Sequence, residues 1–149
     1  MSVLVVGVGN PDRGDDGVGP AVVDELAQRA LASLDLLVVR LPTRLADAWE
    51  GRDDVVVVDA VRTGREAGSV VVERVGENRL ARSGVAGTHG FGVADAIELA
   101  RAIDALPARV TVVGVEAADF TPGSSLSPRV ASAVQPAADA VVACVEGSR

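Results

Sequence analysis

Three residues in this sequence have side chains and positions that could do chemistry together: Asp16, Asp59 and His89. Asp16 follows the apolar run Val3–Val8 across a glycine-rich loop, and Asp59 ends the run Val55-Val56-Val57-Val58. His89 sits in the turn Gly87-Thr88-His89-Gly90, ahead of a helical pattern that starts near Phe91. Ligands of open parallel sheets bind beyond the carboxyl ends of the strands, so these positions predict one shared rim. Two carboxylates and one imidazole make a mixed O,O,N set with open positions. Such a set suits a borderline divalent ion such as nickel, zinc, manganese or iron. The spacing fits ordinary structural roles as well. Asp16 could be a first-turn helix carboxylate, Asp59 a strand-end group bonded to loop amides, and His89 a solvent-facing loop residue.

Other chemistries fit less well. Gly7 and Gly9 match the first two glycines of a dinucleotide fingerprint, but Asp12 takes the third place. Asp15 and Asp16 would also repel a pyrophosphate at the helix start. Asp15, Asp16 and Asp59 imitate the acidic pair and phosphoacceptor of bacterial receiver domains. Those domains need a lysine after the fifth strand, and this chain has Val115-Glu116 there and no lysine at all. No Gly-x-Ser-x-Gly occurs, and the single histidine would have to be the base for any serine or cysteine nucleophile. Cys144 lies in an apolar helical pattern and reads as a small core residue. Asp15 is expected to cap the first helix, Asn10 to stabilise its own loop, and Glu116 to bond loop amides.

The elements that must position these groups follow from periodicity. The all-apolar runs Val3–Val8 and Val55–Val58 predict strands covered on both faces. Further strands are expected over Asp35–Leu41, Ser69–Val75 and Arg109–Val115, the fourth pairing with the third as an antiparallel hairpin. A helix is predicted from Asp16 to Ala32, with Val18, Val22 and Leu26 facing inward. A short helix over Thr43–Glu50 would turn Leu45, Ala48 and Trp49 inward. From Phe91, Val93, Ala96, Ile97 and Ala100 form another buried stripe, and 76–90 reads as irregular. Ser127-Pro128 opens a last helix that buries Val130, Val134, Ala137, Val141 and Val145, with Pro136 expected to kink it. Strands alternating with helices predict a three-layer α/β/α sandwich with a mostly parallel five-stranded sheet and one antiparallel edge strand.

With 149 residues and 48% hydrophobic content, the chain is expected to form one domain, 1–149, with a single good core. Net charge is −7 and all 14 basic residues are arginine. With no basic stripe, nucleic acid is not an expected partner. No apolar run is long enough to span a bilayer and no targeting pattern opens the chain, so the expectation is a cytoplasmic protein without membrane association. One cysteine excludes an internal disulfide, and a monomer is the default.

The run Gly7-x-Gly9-Asn10-x-x-x-x-Asp15-Asp16-Gly17-x-Gly19 resembles the signature of the hydrogenase maturation proteases. The likeness continues in order along nearly the whole chain. It includes Val-Val-Val-Asp59-Ala60, Thr88-His89-Gly90, Gly114-x-Glu116 and Gly123-x-x-Leu126-Ser127. The resemblance implies an endopeptidase that removes a C-terminal extension from the large-subunit precursor of a nickel–iron hydrogenase after nickel insertion. By motif position, Asp16, Asp59 and His89 would be the metal-binding and catalytic residues. Some members carry glutamate where this chain has Asp16, one methylene shorter. The nickel is expected to arrive with the substrate, leaving the isolated protein metal-free. Held between substrate and trio, it would polarise the scissile carbonyl or lower the pKa of a bound water. A non-catalytic module that senses the metal and binds the nickel-loaded subunit is the alternative from another class.

Overall fold

The computed structural model describes residues 2–76 and 91–147. Five strands, β1 (Val3–Val8), β2 (Leu34–Val39), β3 (Asp54–Val61), β4 (Val70–Arg74) and β5 (Arg109–Glu116), form one sheet in the order β2-β1-β3-β5-β4. Only β4, at an edge, runs antiparallel. Helices α1 (Val18–Arg29) and α4 (Pro128–Gly147) cover one face, and α2 (Leu45–Ala48) and α3 (Val93–Ala102) the other. This is the expected α/β/α sandwich.

The two faces explain the apolar runs. Val3, Val5, Val56, Val58, Val113 and Val115 pack under α1 and α4. Leu4, Val6, Val8, Val55, Val57 and Val110 pack against Leu45, Trp49 and α3. Successive strand residues point to opposite faces, so a strand buried on both sides has no polar alternation. Trp49 is buried, with its indole N–H donating to the Ala105 carbonyl at 3.2 Å. The stripes expected on α3 and α4 are the buried ones, with Val134 only partly covered. The helix α4 runs through Pro136 without a break. No helix among the described residues is long and apolar enough to cross a membrane.

Two expectations need correction. The β3–β4 hairpin does not form; β4 pairs with β5, Val70 opposite Val115 through Arg74 opposite Thr111. Both edges of β3 are already taken, by β1 and by eight residues of β5. The all-valine stretch of β3 belongs in the middle of the sheet, while the more polar β4 fits an edge. The resulting order also departs from the 2-1-3-4-5 order of receiver-type sheets, which removes the receiver reading on topology. The first helix starts later than predicted, because Gly14–Gly17 forms a separate 3₁₀ turn before α1. It ends earlier, at Arg29, where Ala30 adopts a left-handed conformation.

Candidate functional site

The parallel strands bring their carboxyl ends to one rim, and hydrogen bonds between the loops leaving β1 and β5 join there. The Gly14 N–H donates to the Ser124 carbonyl at 2.9 Å, the Asp15 N–H to Asp119 at 2.8 Å, and the Gly123 N–H to Asp12 at 2.7 Å. Helix α1 sits directly on the ends of β1 and β3. A Cβ on Gly19 would lie 2.6 Å from the Val8 carbonyl oxygen and 2.7 Å from that of Val58, so only glycine allows this approach. Gly9, at φ +143°, has Asp16 against it and could not carry a side chain either.

Asp16 lies in the 3₁₀ turn, and its Oδ2 accepts the Asn10 amide at 2.8 Å. It is partly buried. Burial pushes its pKa up, and the Asn10 bond and the nearby Arg13 charge do not fully offset the rise. Asp59 is near the end of β3, in register with Gly114. The strand continues to Val61, so Asp59 lies inside it and not at its last residue. By strand alternation Asp59 follows Val55 and Val57 on the face that α3 covers. Its pKa is pushed up to about 8, first by burial and then by the negative charge of Asp16; the Ala60 amide offsets only part of this. The negative charge of Asp16 is felt at Asp59, and burial disfavours ionisation of both, so Asp59 keeps its proton up to about pH 8. Such a pair shares a proton or takes up a cation. His89 lies outside the described residues, and so does the predicted irregular segment before it, apart from Gly76. Among the described residues no three His, Cys, Asp or Glu side chains converge as a metal site.

Asp15 is not the N-cap of α1 that the sequence suggested. No side chain caps that helix, and the carboxylate of Asp15 is fully buried and turned toward the other loop. It accepts Ala118 N–H at 2.8 Å, Asp119 N–H at 2.9 Å, Ser127 N–H at 2.7 Å and the Ser127 hydroxyl at 2.8 Å. Burial raises its pKa, but the bonds from Ser127, Ala118 and Asp119 outweigh that and hold it below the ordinary value. Ser127 precedes α4 as expected, with its hydroxyl directed to Asp15. This clamp was missed because its two halves are more than 100 residues apart; Gly123-x-x-Leu126-Ser127 was its one visible trace. Glu116 is buried and accepts the Thr63 amide at 2.9 Å and the Thr63 hydroxyl at 2.6 Å, a structural role as anticipated. The Asn10 side-chain oxygen accepts the Asp12 amide at 2.9 Å, which holds its own loop.

The hydrogenase maturation protease family model matches residues 21–144, most of the chain. The hydrogenase 2 maturation protease of Escherichia coli K12 is 28% identical over 99% of this chain and 93% of its own length. The solved structure of the hydrogenase maturating endopeptidase HybD from E. coli superposes with a TM-score of 0.77 at 25% identity, covering 99% of this chain and 94% of that one. The HybD nickel–iron hydrogenase maturation protease from Thermococcus kodakarensis gives 0.72 at 28% identity, over 97% of this chain and 99% of that one.

Proposed function

Since this chain belongs to the hydrogenase maturation protease family, we propose that it removes a C-terminal extension from a nickel–iron hydrogenase large-subunit precursor after nickel has been inserted. The nickel belongs to the substrate. Asp16 and Asp59 meet it at the rim, and His89, four residues before Val93 in sequence, is the third ligand of this reading. The observation that supports it is the family match over residues 21–144, to which the raised pKa of Asp59 beside Asp16 adds. One carboxylate in the turn after β1 and one near the end of β3, poorly solvated and close enough to feel each other's charge, are unfavourable when both are ionised and favourable around a divalent ion. Nickel bound there supplies Lewis-acid polarisation of a carbonyl or of water. The chain's own contribution is to fix the two carboxylates, to keep Asp16 oriented through the Asn10 amide, and to hold the rim rigid.

Intact mass of a nickel-loaded precursor, before and after addition of this protein, tests the reading. Loss of one discrete C-terminal peptide, absent with nickel-free precursor and absent with Asp59→Asn, is the expected result. A stable complex with unchanged mass would favour the non-catalytic binding module, and cleavage that ignores nickel would overturn the role given to the carboxylate pair.

A further inference from the structure

Two sets of hydrogen bonds hold the turn that carries Asp16. The Asn10 amide is one restraint. The larger one is next door. Asp15 has no solvent exposure and four donors, and three of those donors are backbone amides of the loop leaving β5. The backbone repeats the connection through Gly14 to Ser124 and Asp15 to Asp119. The receiving loop is itself anchored at the end of β3: the Ala117 N–H donates to the Val61 carbonyl at 2.9 Å, and the Arg62 guanidinium, one residue past the strand, donates to the Ala118 carbonyl at 3.0 Å and lies 4.9 Å from the Phe120 ring centroid. A buried carboxylate with charge-assisted bonds to amides is among the strongest local restraints available to a loop.

We infer that Asp15 is a positioning residue for the cleavage reaction, which locks the turn bearing Asp16 to the loop 118–127 so that the Asp16 carboxylate stays beside Asp59. This rests on the proposed role of the Asp16–Asp59 pair. It assigns Asp15 no contact with substrate or nickel. It assigns Ser127, the clamp's side-chain donor, the same task.

Two variants test it, because Asp15→Asn puts an amide group where the loop supplies only donors and could fail to fold. Ser127→Ala removes one hydroxyl and keeps every backbone bond. Each variant is examined as the full chain, by amide hydrogen exchange in NMR and by steady-state cleavage of nickel-loaded precursor. Displacement of a reacting group by about 1 Å costs on the order of 100-fold in rate. The expected result is a kcat lower by about 100-fold in Asp15→Asn and by about 5-fold in Ser127→Ala, with KM within a factor of about two in both. The Asn10 amide, which reports the Asp16 carboxylate directly, should exchange at least about 10-fold faster while the β1 and β3 amides keep their protection. A clamp that only stabilises the loop would leave Asn10 exchange and kcat unchanged in a folded variant, and that result would overturn the inference. Asp59→Asn is run beside them. If it cleaves like the parent protein, the reading of the carboxylate pair has failed; if it is inactive and folded Ser127→Ala and Asp15→Asn are not impaired, the positioning role alone has failed.

Discussion

Asp15 and Asp16 are neighbours in one 3₁₀ turn with the same functional group, and the fold treats them in opposite ways. Asp15 is the more deeply buried, yet its pKa falls, because three amides and a hydroxyl surround it. Asp16 meets fewer donors, and its pKa rises, because burial outweighs the single Asn10 amide and the nearby Arg13 charge. Burial by itself therefore does not decide the state of a carboxylate. The number of donors set against that burial does. A satisfied carboxylate is a structural fastener. An unsatisfied one beside its like stores unfavourable energy that a cation can release, which is where reactivity belongs.

That contrast can be broken by mutation. The largest effect is expected from Asp59→Asn, which should reduce cleavage of nickel-loaded precursor by roughly 1000-fold or more, the loss expected when a polarising site is removed. The same change should stabilise the metal-free protein. A folded pKa raised above the unfolded value contributes stability that is full below about pH 4 and is lost as pH rises through about 8. Removing the charge should recover on the order of 2–4 kcal/mol at pH 8, measured by urea unfolding, and flatten the decline of stability from pH 5 to 8.

Gly19→Ala should be next. Its Cβ would collide with the Val8 and Val58 carbonyls, prising α1 off the strand ends at a cost of about 2–3 kcal/mol in the melting profile. Asp15→Asn should cost about 2 kcal/mol in unfolding free energy at neutral pH, since two or more donors lose a charged acceptor. Its sign with pH is opposite to that of Asp59: a lowered pKa contributes stability that is present above the unfolded value and lost as pH falls through the folded one, so the Asp15 contribution should vanish only in strong acid. Glu116→Gln should be mildest, about 1 kcal/mol or less, with cleavage within a factor of about two, because one side-chain oxygen still accepts from Thr63.

The sequence carried the local part of this account. Burial on both faces of Val3–Val8 and Val55–Val58, the inward faces of α3 and α4, and Trp49 turned into the core all follow from chain-neighbour patterns. Asp59 was visible as the carboxylate that ends an all-valine run. What was hidden depends on contacts distant in sequence. Whether β4 pairs with β3 or β5 is decided by which edges remain free, and hydrophobic pattern does not record that. The role of Asp15 depends on amides at 118, 119 and 127, so a local capping rule assigned it to the helix beside it. His89 lies outside the described residues.

The contrast between the rim carboxylates can be measured in one experiment, a carboxyl-carbon NMR titration of the metal-free protein. The account predicts that Asp59 titrates near pH 8 while Asp15 stays ionised to below its ordinary value, with the Asp59 transition moving to lower pH when divalent nickel is added. If Asp59 instead titrated near pH 4 alongside Asp15, and nickel left both curves in place, the carboxylate pair would not be the cation-seeking centre on which this account rests.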